Sequence, residues 1–361
     1  MAQTEDALDP GGDARRGEPR PRGHDALARR AVHTLLLTTC LAAASAAETA
    51  ALALREDWTG FFGGAEAALH VALPADQAAN GSRLAWALMV EQRAIARGEQ
   101  TLADTAAGQA GCDLRVALPT VKEGVVMPVT LTLALLSPAG RETPAATLSR
   151  TLWLFPADPF AGRLDALRAQ RLRVVDPEGA TREILRAAGV PYEAVRDPNA
   201  IDGQAPGTLI VAPGVSLASH RGLWPLLVGL AARGHRVLWL SPAGGAAPLP
   251  GLGAETDLPA PMSVSFRGND VIADLDKRLD ATAWPPAGSP VSARLHLKAD
   301  RGRVLGEFGS GPDGWPWVAM DFPGQGRLVL CGFAIIERWE AGPTPRFLLA
   351  RILDWLVENK E

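Results

Sequence analysis

"RVLWLSPAGG", residues 236–245, is an apolar run that passes without alternation into Ser241, Pro242 and two glycines. A strand with one wet face alternates polar and apolar residues. A strand buried on both faces does not, and that is the condition of strands in a parallel sheet covered by helices. Val237 to Leu240 therefore predict an interior strand of such a sheet. Ser241 stands where a nucleophile elbow would present its hydroxyl, in the sharp turn after a strand. The G-x-S-x-G elbow asks for small residues on both sides, and here Trp239 and Ala243 occupy the glycine positions. Pro242 also removes the N–H that an oxyanion hole would use. The stretch has the place for chemistry and lacks its atoms.

The surrounding sequence alternates in the same style. "RLRVVDPEG" is an apolar strand ending in a turn, and "ATREILRAAGV" is a short amphipathic helix closed by Gly189. "YEAVRD" and "GTLIVAPG" follow as strands, and "SHRGLWPLLVGLAARGH" as a helix with Ser219 in position to cap it. "GRLVLCGFAII" supplies a fifth apolar strand. "PTPRFLLARILDWLVENK" closes the chain as an amphipathic helix with proline near its start. The strands at 172–175, 208–212, 236–240 and 327–335 are expected to form one parallel sheet. Between the fourth and fifth lies a long Pro-, Gly- and Asp-rich insert, 249–322, expected to reach over the sheet's C-terminal edge or to pack along one side.

Upstream the pattern differs. From 51 to 155 the chain reads as short strands, clearest in Val129–Leu135, where apolar residues fall on one face. Turn signals at Asn80-Gly81 and Ser137–Gly140 separate the runs at spacings suited to a β-sandwich. Pro156, Pro159 and Gly162 mark a break. The expected organisation is a sandwich over 51–158 and an α/β domain over 164–361.

Ahead of both lies a leader. Residues 1–28 are polar and rich in Gly, Pro and Arg. Arg29 and Arg30 then precede an apolar run, Ala31–Ala44, that ends in Ser45-Ala46-Ala47. A charged stretch, an apolar stretch and small residues compose a secretory signal with cleavage near Ala47. The run is short for a membrane span of roughly 20 residues. A retained anchor helix, and lipidation of Cys40 within "LTTC", are the alternatives. The chain is expected to be exported, periplasmic or extracellular, and envelope-anchored only in those two cases.

Composition excludes some classes. The 361 residues carry a net charge of −4 with no basic cluster beyond residue 30, which argues against a nucleic-acid partner. Removal of 1–47 takes six arginines and six acids, so the mature chain keeps 30 basic against 34 acidic residues. It also keeps two cysteines, Cys112 and Cys331, assigned to different domains and expected to stay free. No C-x-x-C spacing or cofactor motif occurs. Asp270-x-x-x-Asp274-x-Asp276 lacks the D-x-D-x-D-G calcium pattern, and Val271, Ile272 and Leu275 between the acids predict a short packed helix.

The order strand, helix, strand, strand, helix, "GHRVLWLSP", insert, "GQGRLVLCGF", closing helix resembles the class I glutamine amidotransferase-like domain, which is flavodoxin-like. More narrowly, it looks like the version attached to secreted bacterial glycoside hydrolases, including the β-galactosidase trimerisation domain. The preceding sandwich, with "RTLWLFPADPF" leading out, resembles the immunoglobulin-like domains of family 2 glycoside hydrolases. The resemblance implies a catalytic cysteine after the strand matching 236–240, followed by a histidine and an acid. Ser241-Pro242 stands there instead, and His296 is the sole later histidine. The family triad therefore does not carry over.

The remaining candidates are binding residues. Asp176 and Glu178 follow the first strand, at the edge where doubly wound sheets bind ligands, and with Ser241 and Pro213-Gly214 would form a polar pocket. The alternative is that they bond the turn and the start of the next helix. Trp315 and Trp317 flank Pro316 after "GSGPDG" and are candidates for stacking on a sugar or a partner, against the usual fate of tryptophan as a core residue. The function expected is an exported, non-catalytic binding or assembly module associated with carbohydrate processing, with a glycan or a protein as partner. A hydrolase using Ser241 or a site in the insert, and a cell-envelope structural protein, are the other two readings.

Overall fold

The computed structural model describes residues 51–74, 81–102, 111–137, 143–201, 203–252, 257–281, 294–299, 303–309 and 314–358. The leader, its cleavage site and Cys40 lie outside the described residues. Residues 50–361 form one compact unit.

Its first part holds eight strands: β1 (Ala53–Leu54), β2 (Gly60–Phe62), β3 (Glu66–Ala72), β4 (Arg83–Val90), β5 (Arg93–Thr101), β6 (Gly111–Ala117), β7 (Met127–Leu136) and β8 (Ala146–Phe155). They form a three-stranded sheet, β1-β3-β6, and a five-stranded sheet, β2-β8-β7-β4-β5. The period-two pattern decides which residues meet between them. Val129, Leu131, Leu133 and Leu135 of β7 point inward with Leu84, Leu88, Leu152 and Leu154. Leu69, Val71, Leu114 and Val116 answer them from the smaller sheet. "RLAWALMVEQRAIARGEQ" folds as a hairpin: the chain turns back after Val90, and Glu91 takes a left-handed φ of 54°.

The second part contains α1 (Leu164–Ala169), β9 (Arg173–Val175), α2 (Ala180–Ala187), β10 (Glu193–Ala194), β11 (Thr208–Val211), α3 (Leu223–Ala232) and β12 (Arg236–Leu240). After these come β13 (Ala243–Pro248), β14 (Ser263–Arg267), α4 (Asp270–Leu275), β15 (Arg294–Ala299), β16 (Arg303–Phe308), β17 (Trp317–Asp321), β18 (Arg327–Cys331) and α5 (Pro343–Val357). Seven strands make one sheet in the order β10-β9-β11-β12-β18-β17-β14. The first five run parallel, and β17 and β14 continue the sheet antiparallel.

The interior strands β9, β11, β12, β18 and β17 are covered on both faces, which is why they are largely apolar runs, whereas the edge strands β10 and β14 stay partly exposed. Val174, Ile210, Leu238, Leu240, Val329 and Cys331 face one core, shared with α1, α2, α4 and α5. Leu209, Val211, Val237, Trp239, Leu328 and Leu330 face the other, beneath α3. Burying a large side chain such as Trp239 contributes on the order of 2–3 kcal/mol, and the buried apolar residues of the interior strands make contributions of that kind.

Segment 249–322 lies along one side of the sheet, where β14 and β17 inside it extend the sheet past β18. Its other strands, β15 and β16, join β13 in a three-stranded sheet. Leu295, Leu297 and Phe308 of that sheet pack into the core on the α3 side. Ser219 does not cap α3, whose first turn follows Gly222 with a left-handed φ of 85° and no side-chain cap. The fifth strand ends at Cys331, and Phe333 and Ile335 are buried in the turns beyond it.

The two parts are fastened together by specific contacts. Phe155, at the end of β8, sits 4.7 Å from the ring of Phe347 in α5. The Asp280 carboxylate accepts bonds from Thr59 N at 2.7 Å, Thr59 Oγ1 at 3.0 Å and Gly60 N at 3.1 Å, at the start of β2.

Candidate functional site

Two edges of the seven-stranded sheet carry polar side chains. At the C-terminal ends of the parallel strands, Ser241 has a left-handed φ of 44°, a conformation few non-glycine residues adopt. The backbone of a nucleophile elbow is thus present. Its surroundings differ: Ser241 is 5% exposed, its N–H donates to the Cys331 carbonyl at 2.7 Å, and its Oγ donates to the Phe333 carbonyl at 3.5 Å. Pro242 follows and the chain continues as strand β13, where an elbow would start a helix whose N–H groups hold an oxyanion.

Asp176 is buried at the end of β9 and accepts the N–H groups of Gly179 at 2.8 Å and Arg182 at 2.9 Å, with the Arg182 guanidinium 3.7 Å away. It therefore satisfies the turn and the first turn of α2, two donors that a helix start leaves open. Glu178 is exposed and lies over the loop after β11: a Cβ on Gly214, whose φ is 86°, would come within 2.5 Å of Glu178 Oε1. The two acids thus gather at the β9 and β11 loops, whereas the Ser241 hydroxyl turns toward the segment after β18.

The histidines are spread over the molecule. His235 is buried at the opposite end of β12 from Ser241, a strand length of roughly 20 Å away. His296 is exposed on β15, opposite Glu307 of β16. His70 lies in the sandwich, where buried Glu56 takes its Nδ1 and its backbone N–H. That carboxylate raises the His70 pKa by hydrogen bonding and by charge. Cys112 and Cys331 are free thiols, and complete burial pushes Cys331 up to about 12. Among the described residues no cluster of three or more His, Cys, Asp or Glu is placed to hold a metal ion. The acids of the 270–276 helix are paired with arginines: Asp270 and Asp274 with Arg267, Asp276 with Arg278.

The tryptophan candidates separate. Trp317 is 1% exposed on β17, its ring 5.5 Å from Trp355 in an edge-on contact, so it offers no face to a ligand. Trp317 opens a strand of the central sheet, and burial of both faces of that strand takes the ring inward. Trp315 is half-buried against Phe266 at 4.9 Å.

An open concavity lies at the other edge, where the parallel strands begin. A cavity of about 320 Å³ is lined by Arg236, Ser263, Asp321, Gln325 and Arg327, with Met262, Phe322, Leu356 and Val357 as apolar wall. Arg327 is buried; it donates Nε to Asp321 at 2.6 Å and Nη1 to the Trp355 carbonyl at 2.9 Å, and lies 4.1 Å over the Trp355 ring. Asp321 also accepts Ser263 Oγ at 2.9 Å. Gly326 holds the floor in place, since a Cβ there would stand 1.7 Å from the Ala231 carbonyl at the end of α3. Sequence reasoning missed this site. Its signal was an arginine opening each of two apolar strands, "GHRVLWL" and "GQGRLVL".

No protein-family model matches this chain, and no curated protein matches it.

Proposed function

We propose that this chain is an exported, non-catalytic binding module, built from an immunoglobulin-like sandwich and a flavodoxin-like, glutamine amidotransferase-like sheet, that serves carbohydrate processing. The observation that carries the reading is the state of the nucleophile seat. Ser241 is turned into the fold toward the Phe333 carbonyl, 5% exposed, and followed by a proline and a strand. A serine nucleophile needs a base in hydrogen-bond reach and a preorganised oxyanion donor. Pro242 withdraws the donor that an elbow takes from the residue after its nucleophile. Export rests on the charged, apolar and small-residue order of residues 29–47. The link to carbohydrate rests on the resemblance to domains attached to glycoside hydrolases.

A second reading, hydrolysis through Ser241, draws on the left-handed φ of 44° that elbows share. Incubation of the full chain with a fluorophosphonate probe separates the two. The binding-module reading expects no label at Ser241. Labelling that disappears in Ser241→Ala overturns it.

A further inference from the structure

The strand starts that border the cavity are in register. Arg236 pairs with Arg327, Arg327 with Asp321, and Asp321 with Ser263. Their chain neighbours Val237, Leu328 and Met320 all point into the core beneath α3, so the four side chains share the face covered by α5. The result is one row, Arg236–Arg327–Asp321–Ser263, at the edge of the sheet.

Like charges opposite one another on neighbouring strands repel, and the row holds two arginines side by side. Its single acid is engaged on both oxygens, with Arg327 Nε on one and Ser263 Oγ on the other. The other acid on the cavity wall, Glu358, lies 4.0 Å from Arg351. Among the described residues, the Arg236 side chain bonds only the Gln325 amide oxygen, at 3.5 Å, the outer limit of a hydrogen bond. Gln325 in turn sits on a left-handed backbone, φ 66°, without being glycine, and such residues concentrate where ligands are held. Burial and the Arg327 charge both lower the Arg236 pKa. A half-buried guanidinium with five donors and one long bond to Gln325 keeps donors available for an anion at the cavity.

We propose that this cavity binds a small organic carboxylate with an apolar body, held by the Arg236 guanidinium and seated against Met262 and Val357. The inference deepens the binding-module reading and rests on it. The planar fork of arginine matches a carboxylate with two parallel N–H···O bonds. The wall beside it is apolar, with Met262 68% exposed at its rim. A volume of about 320 Å³ falls within the range of small-molecule sites.

The test is calorimetric titration of the full chain with hexanoate, with hexanamide as an uncharged isostere and inorganic phosphate as a compact anion. Hexanoate is expected to bind saturably, with hexanamide and phosphate each about tenfold weaker or worse. Arg236→Gln should lose hexanoate by a similar factor, and Arg236→Lys should fall between. The unliganded melting temperature of Arg236→Gln should stay level or rise, because the repulsion with Arg327 is gone; a merely structural arginine would lower it. Absence of saturable hexanoate binding, equal binding of hexanamide, preference for phosphate, or unchanged binding in Arg236→Gln each overturns the proposal. All of these outcomes are independent of the fluorophosphonate result at Ser241.

Discussion

Asp280→Ala removes the carboxylate that fastens the sandwich to the α/β sheet. The Asp280 carboxylate accepts from two backbone donors, Thr59 N at 2.7 Å and Gly60 N at 3.1 Å, and from the Thr59 hydroxyl at 3.0 Å. Asp280 is 7% exposed and Gly60 is buried, so no water freely replaces the lost acceptor. A buried donor left unsatisfied costs about 1–3 kcal/mol, giving roughly 2–6 kcal/mol for the two N–H groups. Relief of the desolvated carboxylate offsets part of that, as its raised pKa shows: burial outweighs the hydrogen bonds that favour the anion. A net loss of about 3 kcal/mol is expected, which corresponds to about 4–5 °C in melting temperature for a unit of this size. Because the folded pKa lies above the ordinary 3.8, the wild-type contribution is complete below 3.8 and declines as pH rises through the folded value. The difference between wild type and Asp280→Ala should therefore be larger at pH 4 than at pH 7. Urea unfolding at both pH values measures it. A loss below about 1 kcal/mol, or a difference that grows toward pH 7, would falsify the reasoning.

Two further outcomes follow from thiol and imidazole environments. Cys331 is fully buried and its thiol is pushed up to about 12, so Ellman's reagent at pH 8 should modify it only after unfolding, while half-buried Cys112 reacts in the native state; equal native rates would contradict the burial argument. His70 should titrate above 6.5 by NMR, owing first to its bond with Glu56, and Glu56→Gln should bring it down. Its stabilising contribution is complete below 6.5 and disappears as pH rises through the folded value, so a His70 shift unmoved in Glu56→Gln would count against the pairing.

What the sequence determined by itself is what burial writes into neighbouring residues. Residues 209–211, 237–240 and 328–331 are readable as interior strands because both faces are covered and their side chains are apolar, while the polar residue that opens each strand lies at the sheet edge. Val129–Leu135 is readable because one face alone is covered. The acid at Asp176 is equally local, since its donors lie three and six residues ahead. Tertiary structure decided the rest. β17 is as apolar as β18, but it lies among Gly, Pro and Asp, and only its pairing with β18 reveals that Trp317 is interior. The left-handed turn at Ser241 is imposed where β12 stops beside β18, and no residue preference announces it. The row Arg236–Arg327–Asp321–Ser263 joins segments far apart in the chain. Its members meet because strand order and register align the strand starts, and a register one residue different would turn each of them to the opposite face.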